Sequence, residues 1–187
     1  MSAGILLASA AGLPLGIAAA SKKSGRRLIS LPVYLLHPVP KTLFIPLIVL
    51  LSGVGELSKL LLVFLSLLFQ IVLSVRDAVK TVPAEYYTSI RSIGGGRIDE
   101  IFRVTLPAAL PALFSTLRIS LGIAAAVLFF AEYFGTEYGM GFYIMDARTR
   151  INFIDMYAGI LALSLMMLVM FRIIDIVQKI SCRWMNI

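Results

Sequence analysis

The chain alternates long apolar segments with shorter polar ones. Five stretches made mostly of Leu, Ile, Val and Ala are about 20 residues long, which is the length that a helix needs to cross a hydrocarbon core about 30 Å thick. The pattern therefore predicts an all-α, polytopic transmembrane bundle of about five spans, at residues 3–20, 28–51, 57–75, 106–130 and 156–176.

Composition agrees with a membrane protein. Hydrophobic residues make up 59% of the chain and charged residues 14%, whereas soluble domains have about 45–50% apolar and about 25% charged residues. The net charge of +7 does not require nucleic acid, because a bias of Lys and Arg toward one side of a bilayer explains it. The one cysteine, Cys182, forms no internal disulfide and has no neighbouring Cys for a metal site, so we expect it to be inert.

The basic residues also predict an orientation. If the spans alternate, twelve of the seventeen Lys and Arg residues lie on one face, which is then the cytoplasmic one. We therefore expect a cytoplasmic membrane protein whose amino terminus lies outside and whose carboxyl terminus lies inside. The twelve residues are Lys22, Lys23, Arg26, Arg27, Arg76, Lys80, Arg91, Arg97, Arg103, Arg172, Lys179 and Arg183.

Two features within the spans concern helix packing. Gly12, Gly16 and Ala20 recur at every fourth position of the first span, a spacing that permits close contact between helices. In the second span, the prolines near His37 leave backbone carbonyls without their usual donors. We expect His37 to be a polar filler at this kink rather than a proton relay.

The polar connection at about residues 82–105 begins as a short amphipathic helix. Tyr86, Ile90 and Ile93 recur at spacings of four and three, and Tyr87 lies beside them. These side chains therefore share one face of the helix.

Three consecutive glycines end this helix. Gly94, Gly95 and Gly96 allow a sharp turn, because glycine enters left-handed conformations without steric cost. Pro107 then suits the first turn of the next helix, where a missing N–H group is no loss. These residues alone leave open an interfacial amphipathic helix that merely connects two spans.

The order of these features resembles the cytoplasmic EAA loop of permease subunits of binding-protein-dependent ABC importers. In that family a Glu-Ala-Ala triplet precedes a glycine, and the loop ends in Ile-x-Leu-Pro. Leu106 and Pro107 match the ending, and counting back from them places the family glycine on Gly94. The triplet falls on residues 88–90, so Thr88 replaces the family's Glu.

Further strings extend the resemblance over nearly the whole chain. The basic turn "KKSGRR", "HPVPKTLFIPLIVLLSGVGELSK" and "STLRISLGIAAAVLFFAEYFGTEYGMGFYIMDA" are similar to the sulfonate, taurine and nitrate branch of the family. Members of the family usually carry six spans, and this chain begins where the second would be. We therefore expect either a five-span core or a truncated start.

The resemblance implies a type I ABC importer permease fold, as a single transmembrane domain over residues 1–187. It implies ABC ATPase subunits, an extracytoplasmic solute-binding protein and a second permease copy as partners, and a small anionic solute. The loop at about 82–105 would couple the chain to the ATPase. Its expected contact residues are Tyr86, Tyr87, Thr88, Ile90, Arg91, Ile93, Gly94, Gly95, Leu106 and Pro107.

On this interpretation the chain is not an enzyme. It would bind no cofactor or metal and have no catalytic residues, and ATP would bind to the partner. The sequence contains no G-x-x-x-x-G-K-[ST] motif and no Gly-Lys pair, so it has no P-loop to hold phosphates.

Two charged residues of the fourth span are candidates for a translocation pathway. Arg118 lies about 16 Å beyond Pro107 at 1.5 Å per residue. A charge deep in a bilayer costs about 2.5–3.5 kcal/mol and faces a bundle interior or an aqueous path. A path for an anion fits Arg118, and so does either a structural ion pair or a side chain that snorkels to the cytoplasmic interface. Glu132, at the outer end, fits a contact for the binding protein or an interfacial carboxylate.

Two rival functions remain. A membrane-embedded enzyme would need a nucleophile, paired acids or a metal cluster, and the chain has one His, one Cys, no H-E-x-x-H and no G-x-S-x-G. An autonomous secondary carrier would be expected to show inverted repeats or several intramembrane ionisable groups, and neither is evident.

Overall fold

The computed structural model of the chain describes residues 1–20 and 30–185, and every regular element in these ranges is helical. The all-helical membrane bundle predicted from the sequence is confirmed. Four helical stretches of the described chain are long and apolar enough to cross a membrane: Ser2–Ala20, Glu56–Lys80, Arg97–Phe134 and Phe153–Ser181.

The α-helices are numbered in chain order. The basic turn that contains Lys22, Lys23, Arg26 and Arg27 lies outside the described residues. The helices are α1 (Ser2–Ala20), α2 (Ser30–Leu36), α3 (Ile45–Ser52), α4 (Glu56–Lys80), α5 (Ala84–Ser92), α6 (Arg97–Glu100), α7 (Leu106–Gly135), α8 (Met140–Thr149) and α9 (Phe153–Ser181).

The second predicted span, 28–51, contains two short helices, α2 and α3, rather than one long helix, and is not among the four stretches long enough to cross a membrane. Pro38 and Pro40 lie in the break, where they remove backbone donors and exclude a continuous helix. The freed carbonyls are satisfied by Lys41 and not by His37. The Lys41 Nζ donates hydrogen bonds to the carbonyl oxygens of Leu36, His37 and Val39 at 2.7, 2.9 and 2.7 Å.

Helices α1 and α4 pack closely and in parallel, because small residues of α1 face branched residues of α4. A Cβ atom added at Gly12 would lie 2.6 Å from Ile71 Cγ2, and one at Gly16 would lie 2.7 Å from Val75 Cβ. The glycine spacing predicted this close contact.

Helix α7 runs antiparallel to α4. The Ser74 hydroxyl donates to the Ala112 carbonyl at 3.4 Å, and the Lys59 ammonium lies 4.3 Å from the centre of the Tyr138 ring. Residues 82–105, called here the insert, therefore lie at one end of the bundle, which is called the insert end. Residues 136–152 lie at the other, called here the loop end, and α9 returns from the loop end to the insert end.

A wide turn joins α6 to α7. Residues Ile101–Thr105 form a π-helical turn, in which the Leu106 amide donates to the Ile101 carbonyl. Pro107 is the second residue of α7, as predicted, but the helix does not start from a loop, since it continues α6. The ring of a proline inside a helix clashes with the carbonyl four residues earlier, and a wider turn relieves that clash.

Candidate coupling site and intramembrane charges

Two glycines shape the turn after α5, each for a different reason. Gly94 has φ +82°, and a Cβ atom there would meet nothing within 4 Å, so its requirement is conformational. Gly95 has an ordinary φ, but a Cβ atom would lie 2.5 Å from Ile90 Cγ2 and 2.7 Å from the Ile90 carbonyl oxygen. The Gly94 and Gly95 amides donate to the carbonyls of Arg91 and Ile90 at 3.0 and 2.9 Å, which closes the helix end.

Polar contacts fix α5 to the start of the long helix. The Arg91 Nε lies 2.5 Å from the Glu100 Oε1, and this hydrogen bond raises the pKa of the Arg91 guanidinium. The Tyr87 hydroxyl lies 3.3 Å from the Thr105 hydroxyl, which in turn donates to the Glu100 carbonyl at 3.2 Å. Helix α5 is thus linked once to α6, through Glu100, and once to the π turn, through Thr105.

The predicted apolar face of α5 is only partly buried: some of its side chains pack against the insert and the others are exposed to solvent. Ile90 and Tyr87 are half-buried toward the rest of the insert. Tyr86 and Ile93 are 61% and 75% exposed, and Ile98 and Phe102 of the following helix are 72% and 64% exposed. These four side chains, Tyr86, Ile93, Ile98 and Phe102, are called here the insert patch.

Ile98 and Phe102 were not among the contact residues predicted from the sequence. Their spacing of four residues would have placed them on one helix face. Of the other predicted contact residues, Thr88 is exposed and its hydroxyl donates to the Ala84 carbonyl at 3.1 Å. Leu106 and Pro107 are half-buried at the start of α7.

Arg118 is held by two side chains of α9. Its Nη2 lies 2.5 Å from the Asp175 Oδ1 and donates to the Gln178 Oε1 at 2.5 Å. Its guanidinium also lies 5.6 Å from the centre of the Phe171 ring. These contacts favour the structural ion pair over a free cation in a solute path. Asp175 and Gln178, one helical turn apart, were not identified from the sequence.

The depth of Arg118 also differs from the estimate that started at Pro107. Because α7 continues a helix that begins at Arg97, its first turns need not lie in the hydrocarbon. Measured from Gly135 at the loop end, Arg118 is about 26 Å along the helix. A hydrocarbon core about 30 Å thick that began at Gly135 would end near Arg118.

Glu132 is a buried structural carboxylate at the loop end. Its side chain accepts a hydrogen bond from the Gly141 amide at 2.7 Å, at the start of α8, where a negative charge is favoured. A Cβ atom at Gly139, with φ +122°, would lie 2.6 Å from the Glu132 Oε1. Glu132 is only 9% exposed in the single chain, and a contact of Glu132 with a binding protein stays a prediction.

No group of His, Cys, Asp and Glu side chains in the described ranges could hold a metal ion. Cys182 is 2% exposed, and burial raises the pKa of its thiol. A protonated, buried thiol reacts slowly.

The fold and these contacts define a polytopic helical membrane protein with an exposed, glycine-broken insert at one end. Residues 12–187 match the family described as binding-protein-dependent transport system inner membrane component, and the chain belongs to that family.

Individual relatives agree with this family. The chain is 32% identical over 154 residues to the taurine transport system permease protein TauC of Escherichia coli (strain K12), covering 82% of this chain and 56% of TauC. It is 25% identical to the nitrate import permease protein NrtB of Leptolyngbya laminosa, covering 96% of this chain and 67% of NrtB. The chain thus spans between about half and two thirds of the length of these relatives.

A solved structure has the same fold. A chain in the inward-facing MetNI methionine ABC transporter superposes with a TM-score of 0.75 at 17% identity, over 96% of this chain and 89% of that one.

Proposed function

We propose that this chain is the membrane-spanning permease subunit of a binding-protein-dependent ABC importer. The family supports this function, and one observation of the structure carries it. The insert patch presents four large apolar side chains at the insert end, and side-chain contacts join α5 to α6 and to the π turn, which continue into α7. Large apolar and aromatic side chains are the usual anchors of protein interfaces.

In the proposed mechanism the insert is a coupling element that docks on an ATPase. Closure of the ATPase around ATP moves α5, and the Arg91–Glu100 pair and the Tyr87–Thr105 contact pass that movement to the start of α7. The bundle then changes between inward-open and outward-open states, as a rigid element with two positions does. The insert patch supplies the docking surface. The half-buried side chains of Tyr87 and Ile90 pack behind it, against the rest of the insert.

ATP binds to the ATPase in this scheme, and the permease chain contributes no nucleotide site. A second copy of the chain and an external solute-binding protein complete the transporter. We propose a small solute that carries an anionic group, of the sulfonate, taurine or nitrate class, because TauC is named for taurine and NrtB for nitrate. Arg118 and Glu132 are both engaged in internal contacts, so we assign them structural roles beside the path.

The insert end faces the cytoplasm in this proposal, and the loop end faces outward. A cysteine placed at Glu137 should label with a membrane-impermeant maleimide from outside intact cells, and one placed at Arg26 should not. The native Cys182 is buried and contributes little background. The reverse labelling pattern would overturn the orientation.

The function is tested by co-expressing the chain with its cognate ABC ATPase. The purified permease alone should not hydrolyse ATP, and the complex should do so. A thermal-shift screen of the cognate solute-binding protein against taurine, alkyl sulfonates, nitrate and bicarbonate would then identify the solute class. Solute-dependent uptake by the permease without any ATPase would instead support a secondary carrier.

A further inference from the structure

A groove of about 540 Å³ lies between α7 and α9. Its lining changes character along the helices. Toward the insert end it is lined by the charged side chains of Arg118, Arg172 and Asp175, with Phe171 among them. Toward the loop end the lining is apolar and consists of Leu121, Gly122, Met167 and Leu168.

The charges of the groove do not cancel. Arg118 is paired with Asp175 at 2.5 Å. Arg172 is exposed, and its side chain makes no hydrogen bond or ion pair with any residue that the structure describes. The lining therefore carries one uncompensated positive charge, which is unfavourable in a span unless an anion or the interface receives it.

The depth of this charge matches a lipid phosphate. Arg172 lies about 29 Å along α9 from Phe153 at the loop end, at 1.5 Å per residue. Arg118 lies about 26 Å along α7 from its loop end. In the span predicted from hydropathy, 156–176, Arg172 lies about 6 Å from the insert-side end at 1.5 Å per residue, and a long arginine side chain there can extend to the headgroups.

We propose that this groove binds an anionic phospholipid. The phosphate meets Arg172, and one acyl chain runs along Leu121, Gly122, Met167 and Leu168 into the hydrocarbon. Asp175 lines the same groove, but its charge is neutralised by Arg118, so it does not repel the phosphate. A zwitterionic lipid fits less well because its ammonium group compensates its own phosphate. Basic clefts between membrane helices are known to hold anionic headgroups.

The experiment is native mass spectrometry of the purified full chain with dioleoyl phosphatidylglycerol or dioleoyl phosphatidylcholine. Phosphatidylglycerol should bind more tightly. Arg172→Ala should weaken phosphatidylglycerol binding about fivefold, the factor that corresponds to about 1 kcal/mol per basic residue, and leave phosphatidylcholine unchanged. Arg172→Lys should retain the preference. Arg148→Ala is the matched control, because Arg148 is also exposed and unpaired in the described chain but lies at the loop end.

A second variant tests the acyl part of the groove without disturbing the fold. A Cβ atom at Gly122 would meet nothing within 4 Å, so Gly122→Leu should fold normally and fill the groove. It should weaken the binding of both lipids. Equal binding of the two lipids to the native chain, or an unchanged preference in Arg172→Ala, would overturn the proposal. So would a Gly122→Leu variant that changes the oligomeric state in light scattering, because the groove would then belong to a second copy.

Discussion

The carboxylate of Glu100 lies 2.5 Å from the guanidinium of Arg91, across the glycine turn that separates α5 from α6. Together with the contact between Tyr87 and Thr105, this pair attaches α5 to the start of the long helical stretch Arg97–Phe134. These contacts hold α5 in place independently of the turn. The glycines of the turn and the side chains of the insert patch are different residues, so they can be tested separately.

The turn should depend on the backbone conformation of Gly94 and not on space around it. Gly94→Val places a β-branched residue at φ +82°, which should cost about 1–3 kcal/mol, and should reduce both uptake and ATPase co-purification. Gly96→Val is the matched control, since Gly96 has φ −88° and open space around a Cβ atom, and should behave as the native chain. Arg91→Ala should have a smaller effect than Gly94→Val, because Arg91 is exposed to solvent and the contact between Tyr87 and Thr105 still joins α5 to the π turn. Equal behaviour of the two valine variants would contradict this account of the turn.

The Glu132 carboxylate should stabilise the loop end by holding α8. Glu132→Ala leaves the buried Gly141 amide without its acceptor, which should lower stability by about 1–3 kcal/mol. Glu132→Gln keeps an acceptor oxygen and should lose less. Thermal unfolding in detergent, with hydrogen exchange at residues 140–143, measures both effects. An Ala variant that unfolds at the native temperature and keeps its amide protection would show that this hydrogen bond contributes nothing.

Arg118 and Asp175 should be energetically coupled. Either Arg118→Gln or Asp175→Asn alone leaves the opposite charge without its partner, whereas the double variant removes both charges. A double-mutant cycle on unfolding in mixed micelles should give a coupling of about 0.5–3 kcal/mol. The exposed pair of Arg150 and Asp146 is the control, and its coupling should be about 0.3–0.5 kcal/mol. Additive effects at Arg118 and Asp175 would mean that the ion pair does not join the two helices.

Much of the fold follows from the sequence because lipid leaves few alternatives to helices. The third predicted span, 57–75, became Glu56–Lys80, and the fifth, 156–176, became Phe153–Ser181. Helices in membranes extend past the hydrocarbon, so hydropathy underestimates their length. The three consecutive glycines likewise predicted a turn that uses a positive φ, which Gly94 has, since few other residues tolerate that conformation.

Other features depend on tertiary contacts that a pattern does not reveal. The predicted spans leave residues 131–155 unassigned, yet α8 forms there. It is held by Glu132 at its first turn and by Gly159, where a Cβ atom would lie 2.7 Å from Ile144 Cγ1. The sequence predicted that another group satisfies the carbonyls freed near His37 but did not identify it; Lys41 does so because its long side chain reaches three of them.

Docking of the insert on an ATPase is tested most directly by co-purification of the ATPase with the Ile93→Asp variant. Ile93 is 75% exposed in the insert patch, so the change should leave the bundle intact and place a charge in the interface. The matched control is Ile151→Asp. Ile151 is 72% exposed at the loop end with φ 58°, a conformation that Asp tolerates better than Ile. We predict that the affinity-tagged control retains the ATPase at the native ratio, whereas Ile93→Asp loses most of it. Equal recovery of the ATPase with both variants would contradict the coupling role of the insert.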